Sequence, residues 1–218
     1  MTGEKRELPE FTASGDGTAV PLEFAPRESL LVVFRHRAKA SVEPVKNFPA
    51  LRTIGELAGA WTVAFDPRWG GPASVIFDSL VYWTNRPEAG IKFYSGTAKY
   101  RKTFDLPAGA SGKTYLDLCE LHNLARVRLN GQDLGLVWCA PWHVDITPAV
   151  KPTGNELELE VVNTWANRII GDLKLPPEQR LTWTVKPHFT ANSPLLPAGL
   201  VGPVTLQAVE TVPVKPVR

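Results

Sequence analysis

The chain has 218 residues, of which 44% are hydrophobic and 21% charged, and its formal net charge is +2 at neutral pH. This composition is that of a globular protein with a sizeable core, and it excludes a disordered chain. The near-neutral charge gives no reason to expect binding to nucleic acid or to an anionic membrane surface. No apolar run approaches the roughly 18 residues of a membrane span. We therefore predict neither nucleic acid nor a membrane as a partner.

The first 45 residues form a segment of their own in the sequence pattern. Residues 20–23 and the run SLLVVFR at 29–35 are predicted strands, and the unbroken apolar character of the second is typical of a strand covered on both faces. The charged stretch 35–47 has the composition of a linker. We predict that residues 1–45 are N-terminal strands and a linker, or the end of a preceding domain, and that residues 46–218 form one β-sandwich domain.

The N-terminus carries no recognisable targeting signal. Its sequence, MTGEKRELPEF, contains basic residues but lacks the apolar segment of a signal peptide. We therefore expect a cytoplasmic protein, unless an export signal has been removed.

Short alternations of apolar and polar residues recur along the rest of the chain. They predict strands at 62–65, 97–104, 114–118, 142–146, 157–162, 181–185 and 204–209, with a turn or short helical turn at 54–61 and a loop or one helical turn at 165–171. Roughly nine to eleven short strands, joined by proline-rich loops, favour an all-β fold. The predicted architecture is an antiparallel β-sandwich of the jelly-roll, galactose-binding-domain-like kind.

The clearest local signal is a hairpin within RVRLNGQDLGLVWCAPWHVDIT at 126–147. Asn130-Gly131 suits a type I′ turn, which requires positive φ at both central residues. In GNELELEVVN at 154–163, apolar residues alternate with three glutamates. This alternation predicts a half-buried strand with a charged solvent face.

Three segments resemble the galactose-binding-like β-sandwich of sugar-active enzymes: YSGTAKYRKTFDLP, RVRLNGQDLGLVWCAPWHVDIT and GNELELEVVNTWANRIIGD. The pattern is similar to the sugar-binding domain of glycoside hydrolase family 2, and closer to the C-terminal part of the family 106 α-L-rhamnosidase-like proteins. The resemblance covers about residues 51–209, and SLLVVFR fits the end of the domain that precedes this part in those proteins. It implies that the catalytic carboxylates belong to a larger barrel domain, which this sequence does not include.

Tryptophans near loop ends are the first candidates for sugar binding. An exposed indole stacks on the flat C–H face of a sugar while polar neighbours bind the hydroxyls. Trp138, Trp142 and Trp165 lie near predicted loop ends and are predicted to bind sugar. Each could instead be a core residue, because an indole buries a large area.

The segment WANRIIGD at 165–172 combines an aromatic ring, an amide, a guanidinium and a carboxylate. Asn167, Arg168 and Asp172 are predicted to bind sugar hydroxyls. The alternative is that Arg168 and Asp172 form a bidentate ion pair that orders the loop.

Glu120 and His122 share one face of a predicted strand, and a carboxylate beside a histidine is a candidate acid–base or metal pair. His122 is predicted to bind sugar. Glu120 and Asp172 are the candidates for catalytic carboxylates, and no other catalytic residue is predicted. A strand-end cluster satisfied by the backbone is the alternative. No histidine has metal-ligand spacing, so neither a metal site nor a cofactor is predicted, apart from a structural Ca²⁺ held by carboxylates and carbonyls.

The two cysteines, Cys119 and Cys139, are too few for a disulfide framework. Each lies in an apolar, strand-like run, which predicts buried free thiols. A single bridge between them is the alternative if their strands are neighbours.

Three functions are compatible with these features. The first is a carbohydrate-binding module of, or derived from, a glycoside hydrolase, with a saccharide as its ligand. The second is a small stand-alone rhamnosidase- or galactosidase-like enzyme that uses carboxylates on the sandwich loops, for which a pair at a defined separation is required. The third is a structural domain that docks onto a catalytic glycosidase domain. A β-sandwich by itself does not distinguish them.

Overall fold

A computed structural model describes residues 6–24, 29–35, 46–108, 110, 112–186 and 188–209. The strands and α-helices are β1 Thr12–Ser14, β2 Gly17–Ala19, β3 Leu51–Glu56, β4 Trp61–Ala64, β5 Val75–Phe77, α1 Ala89–Lys92, β6 Thr97–Phe104, β7 Thr114–Asp117, β8 Leu121–His122, β9 Leu124–Leu129, β10 Gln132–Val137, β11 His143–Asp145, β12 Asn155–Val162, α2 Ala166–Asp172, β13 Gly199–Leu200 and β14 Thr205–Val209. Short 3₁₀ turns occupy Pro67–Trp69, Trp83–Asn85 and Pro177–Gln179.

The chain divides into two compact units, one of them Thr53–Ala208 and the other made of the residues on either side of it. In the described part of the smaller unit, β1 and β2 form a two-stranded hairpin. Asn47 organises this unit: its Oδ1 accepts from the backbone N–H of Glu10 at 2.8 Å, and its Nδ2 donates to the carbonyl of Pro21 at 3.1 Å.

The larger unit is an all-β sandwich, as predicted. Its six-stranded sheet has the order β10-β9-β12-β6-β4-β5, and the four-stranded sheet has the order β11-β7-β14-β3. The strand pairs are antiparallel, with β12 at the centre of the larger sheet between β6 and β9. The fold class predicted from the alternating pattern is therefore confirmed.

The core lies between the two sheets. Trp61, Val63, Phe77, Tyr100, Val127 and Leu159 face inward from the six-stranded sheet, and Leu116 and Leu206 face them from the four-stranded sheet. Each fully buried side chain of this size stabilises the fold by roughly 1.5–3 kcal/mol. Trp83 is fully buried beside this core, and its Nε1 donates to the hydroxyl of Tyr100 at 2.5 Å.

The turn at Asn130-Gly131 has the predicted geometry. Asn130 has φ 52° and Gly131 has φ 81°, so both central residues adopt the positive φ that a type I′ turn requires. The Asn130 Nδ2 group donates to the carbonyl of Ala149 at 2.8 Å and to Oδ1 of Asn155 at 3.0 Å. The turn is therefore tied to the start of β12 as well as closing the β9–β10 hairpin.

The outer face of the six-stranded sheet carries several ion pairs between neighbouring strands. Glu158 on β12 lies between Arg101 on β6, at 2.7 Å, and Arg128 on β9, at 3.2 Å. One row away, Glu160 lies 3.1 Å from Lys99 and 3.0 Å from Arg128. The predicted charged solvent face of β12 is therefore confirmed. Glu158 and Glu160 stabilise the sheet, because each lies across from a basic side chain on a neighbouring strand.

Several predicted elements differ from the structure. The segment before Trp61 was expected to be a turn but contains β3, because pairing within the smaller sheet overrides a weak local signal. Residues 181–185 are irregular and largely exposed, since no neighbouring strand pairs with them among the described residues. Residues 20–23 and 29–35 likewise form no strand, and Leu31 is 92% exposed.

Other predictions concern residues that the structure covers only in part. The predicted linker, residues 35–47, lies largely outside the described residues, and the boundary at residue 45 stays a prediction. Within the described ranges, no helix is long and apolar enough to cross a membrane.

Candidate functional site

Strand register brings most of the predicted site residues to one end of the six-stranded sheet. Val162, at the end of β12, pairs with Thr97 at the start of β6 and with Leu124 at the start of β9. Val137, at the end of β10, pairs with Ala125. The residues that precede β9 and follow β10 and β12 therefore share this end. We call the segments 118–123, 138–142 and 163–172 the site end.

Two tryptophans at the site end are exposed. Trp138, which follows β10, is 56% exposed, and Trp165, which precedes α2, is 54% exposed. Because β10 and β12 lie on either side of β9, about 10 Å separates the backbones that carry them. Trp165 meets Trp69 edge-on, with ring centroids 5.5 Å apart and an interplanar angle of 90°. Trp142 is half-buried and packs against the core, so of the three predicted indoles it offers the smallest surface to a ligand.

Helix α2 follows Trp165 and turns its polar side chains toward the protein. Asn167 is 2% exposed and makes a reciprocal pair of hydrogen bonds with Leu196: its Nδ2 donates to the carbonyl, and its Oδ1 accepts from the N–H, both at 2.8 Å. Asp172 is also 2% exposed, and its Oδ2 accepts from the N–H of Thr182 at 2.8 Å and from the Thr182 hydroxyl at 2.6 Å. These side chains hold Thr182 and Leu196, both in irregular stretches, against the helix.

Arg168 and Asp172 form a buried ion pair. The Arg168 Nε lies 3.1 Å from Oδ1 of Asp172, and both side chains are almost fully buried. The contact is through Nε alone rather than the bidentate pair expected from the sequence, and the two atoms are not aligned for a hydrogen bond. The backbone N–H of Arg168 donates to the hydroxyl of Ser95 at 3.0 Å, which anchors the helix to the residues before β6. The geometry therefore supports the loop-ordering role of this pair, and the sugar-binding role of Asn167, Arg168 and Asp172 stays a prediction.

Glu120 and His122 belong to a cluster that also contains Tyr82, a residue not singled out from the sequence. The Tyr82 hydroxyl donates to Oε1 of Glu120, and His122 Nε2 lies 3.1 Å from the same oxygen. The rings of Tyr82 and His122 lie 5.6 Å apart. The hydrogen bond from Tyr82, and then that from His122, hold the pKa of Glu120 below its usual range, and the same bond to Glu120 raises the pKa of Tyr82. Glu120 is therefore ionised at neutral pH.

The backbone around Glu120 is fixed by the segment after β13. The Glu120 carbonyl accepts from the N–H groups of Val201, at 3.0 Å, and Gly202, at 3.3 Å. β8 pairs with β13 through His122 and Gly199. Gly199 has φ 103°, and a Cβ there would lie 2.6 Å from the indole nitrogen of Trp83, so glycine is required at this contact. The backbone that carries Glu120 and His122 is therefore held in place by hydrogen bonds to the segment 199–202.

The cysteine prediction is wrong in one respect. Cys119 and Cys139 are free but exposed rather than buried. Each follows a strand instead of lying within it, and Cys119 occupies a tight turn with φ 55° whose N–H donates to Oδ1 of Asp117 at 2.8 Å. Local apolar composition misled the prediction, because only the strand ends place these thiols on the loops.

The described residues include no group of three or more histidine, cysteine, aspartate or glutamate side chains arranged to hold a metal ion. The carboxylate of Asp145 accepts from the N–H of Thr147 at 2.9 Å and thereby caps the turn that follows β11. A bound Ca²⁺ stays a prediction.

A broad depression of about 670 Å³ lies on the outer face of the six-stranded sheet, lined in part by Thr62, Arg101, Lys102 and Arg128. None of the predicted site residues lines it. Arg101 and Arg128 are paired there with Glu158, so this surface is a solvated, charge-compensated sheet face. The concentration of exposed rings and polar groups is at the site end instead.

Comparisons with known proteins agree on the type of domain. A family model described as the glycosyl hydrolase 2 galactose-binding domain-like family matches residues 78–191. A putative beta-glucuronidase from Formosa agariphila is 36% identical over 176 residues, which cover 69% of this chain and 15% of that protein. The solved structure of a rhamnosidase from Novosphingobium sp. PP1Y matches with a TM-score of 0.83 and 38% identity, over 90% of this chain and 19% of that one. The chain therefore spans less than a fifth of the length of each of these two relatives.

Proposed function

Since the chain belongs to the glycosyl hydrolase 2 galactose-binding domain-like family, we propose that it binds a saccharide at the site end as a module of a larger glycosidase. The observation that carries the proposal is the exposure of Trp138 and Trp165 on either side of β9. Large indoles are usually buried, and two that are not, beside a polar cluster, are typical of a sugar platform. The two relatives are named for different sugars, a rhamnosidase and a putative beta-glucuronidase, so their names do not decide the ligand.

The chemistry of the site end suits a sugar. An indole face stacks on the C–H face of a pyranose, and the ionised carboxylate of Glu120 accepts hydroxyl hydrogen bonds. Strands β10 and β12, after which Trp138 and Trp165 follow in the chain, are two strand spacings apart, about 10 Å, and a short oligosaccharide can bridge a span of that order. The edge-on contact with Trp69 supports the Trp165 indole, which is still 54% exposed.

Tryptophan fluorescence during titration with neutral oligosaccharides tests the proposal. Trp165→Ala should weaken binding about five- to thirtyfold, since loss of an aromatic stacking contact and its buried area costs about 1–2 kcal/mol. Trp183→Ala is the matched control, because Trp183 is 83% exposed and lies outside the site end. Equal affinity of the Trp165→Ala variant and the wild type, or an equal loss in both variants, would rule out the site end as the binding surface.

Docking onto another protein domain is the second candidate function. An exposed apolar surface outside the site end favours it. Leu181, Trp183 and Val185 are 41%, 83% and 85% exposed within five residues of one another. Clustered apolar side chains on a surface are typical of a protein contact, and the occupant that we propose is the catalytic domain of the parent glycosidase. Without that domain, the full chain should self-associate at high concentration, and Trp183→Asp should abolish the association in sedimentation velocity while sugar affinity stays constant. A monomer at all concentrations would argue against this candidate.

The stand-alone glycosidase has the least support. Asp172, one of its two candidate carboxylates, is 2% exposed and is engaged by Thr182 and Arg168. Glu120, the other, has a lowered pKa, whereas a general acid needs a raised one. An ionised Glu120 suits a nucleophile or a general base, but the buried and engaged Asp172 does not supply the accessible general acid that glycoside hydrolysis also requires.

A further inference from the structure

The hydrogen bonds within the Glu120 cluster are unevenly shared between the two carboxylate oxygens. Both Tyr82 and His122 approach Oε1. Among the described residues, Oε2 has no hydrogen-bond partner, and the Glu120 side chain is 42% exposed. One oxygen of the carboxylate is therefore used to orient the group, and the other is free to meet a ligand.

This arrangement is preorganised for an acceptor role. Two donors on Oε1 fix the plane of the carboxylate, and the backbone bonds from Val201 and Gly202 fix the residue itself. A rigid, charged acceptor loses little entropy on binding, and hydrogen bonds to an ionised acceptor are stronger than neutral ones. The rings of Tyr82 and His122, 5.6 Å apart, form the walls beside the carboxylate.

We infer that Oε2 of Glu120 accepts a hydrogen bond from a sugar hydroxyl and that this makes the site select neutral saccharides over uronic acids. The inference rests on the proposed saccharide-binding function and adds the class of sugar to it. A uronate would bring a second negative charge to a carboxylate that already lacks a full counter-charge. Within the described ranges, no lysine or arginine lies in ion-pair distance of Glu120, and His122 is the single basic side chain in contact with it.

Matched pairs of glycosides isolate this effect. Methyl β-D-glucoside and methyl β-D-glucuronide differ only at C6, and the corresponding galactosides form a second pair. Ligand-observed NMR titration of the full chain should give at least tenfold tighter binding of a neutral member than of its uronide. Glu120→Gln keeps the shape and removes the charge, so it should reduce the preference to within about threefold, a difference of less than 1 kcal/mol.

Tyr82→Phe separates the effect of orienting the Glu120 carboxylate from the effect of its charge. It removes the donor to Oε1 and keeps the ring, so it should weaken neutral glycosides severalfold while the discrimination against uronides persists. A thermal melt of each variant verifies that it is folded.

Four outcomes are decisive. Uronides that bind as well as neutral glycosides, or a preference that Glu120→Gln leaves unchanged, would overturn the inference while the saccharide-binding function stands. Failure of every glycoside to saturate the wild-type chain would overturn the proposed function, and this inference with it. A preference for neutral glycosides that disappears in Glu120→Gln would support both.

Discussion

At one end of the six-stranded sheet, around Asn130, Lys151 and Asn155, the polar side chains are satisfied by their own neighbours. At the site end, the outer side chains are left partly without protein partners. Asn155 is fully buried, accepts from Asn130 Nδ2 and from the Lys151 N–H, and donates to the Lys151 carbonyl at 2.7 Å. At the site end, Trp138 and Trp165 remain more than half exposed, and Glu120 keeps a free oxygen. The first end is thus closed by its own hydrogen bonds, whereas the site end keeps exposed side chains.

The site end itself has two layers. The outer layer is formed by Trp138, Trp165 and the Glu120 cluster, and the inner layer by the buried side chains of α2. The inner layer contributes stability because Asp172 neutralises Arg168 and binds Thr182. The outer layer should contribute less to stability, since Trp138 and Trp165 stay more than half exposed and the Glu120 side chain is 42% exposed. Changes to the two layers should therefore separate stability from binding.

The largest effect is expected in the inner layer. Asp172→Ala should lower the free energy of unfolding by about 3–5 kcal/mol, because it leaves the Arg168 guanidinium buried without a counter-charge. Urea denaturation measures the loss. The exposed Asp78 provides the control, and Asp78→Ala should change stability by less than about 0.5 kcal/mol.

A double variant sharpens this prediction. Arg168→Met combined with Asp172→Leu removes both charges and should recover part of the lost stability. A double variant as unstable as Asp172→Ala would show that the hydrogen bonds to Thr182, rather than charge compensation, carry the contribution.

The opposite end of the sheet should respond in stability alone. Asn155→Ala removes the three hydrogen bonds of a fully buried amide side chain to Asn130 and Lys151, which should cost about 2–3 kcal/mol. Sugar affinity of the folded protein should stay constant at a temperature well below the melting point. Glu156→Gln, an exposed neighbour on the same strand, should affect neither quantity.

The outer layer should respond in binding alone. Trp138→Ala should weaken saccharide binding by about tenfold, or about 1.4 kcal/mol, and change the free energy of unfolding by less than about 1 kcal/mol. Isothermal titration and urea denaturation on the same preparation measure both quantities. A large loss of stability together with unchanged affinity would reassign Trp138 to the core of the fold.

The smallest effect is expected on the charged sheet face, which lies between the two ends. The hydrogen bond from Arg128 is the main cause that lowers the pKa of Glu160 below 4.5. A carboxyl with a lowered pKa in the folded state stabilises the protein above its unfolded pKa, and this contribution disappears as the pH falls through the folded pKa. Glu160→Gln should therefore lower the melting temperature slightly at pH 7, by the equivalent of less than about 1 kcal/mol, and the difference should vanish on acidification from about pH 4.5 downward.

A control variant on the same strand tests whether the ion pairs of Glu160 cause this pH-dependent difference in melting temperature. Within the described residues Glu156 forms no ion pair, so the melting temperatures of Glu156→Gln and the wild type should stay close across the same pH range. Parallel pH profiles for the two glutamine variants would show that the pairs of Glu160 contribute nothing measurable.

Alternation and turn chemistry in the sequence determined most of the sandwich. The Asn130-Gly131 turn, the glutamates of β12 and strands such as β6 and β14 follow from spacing, since side chains alternate across a sheet and a type I′ turn demands positive φ. The segments that resemble galactose-binding-like domains lie in this same region. Strands without such a signal, such as β3, form only because a neighbouring strand supplies their hydrogen bonds.

The tertiary structure alone decided which of the candidate side chains face solvent and which are buried. Trp165, Arg168 and Asp172 look equivalent in the sequence, yet one is exposed and the other two are buried as a pair. Tyr82 lies 38 residues from Glu120, and no local pattern connects them. The spacing of residues in the sequence specifies the face of a strand or helix on which a side chain lies. Whether that side chain is buried, and which residues it contacts, depends on the distant segments that cover the face.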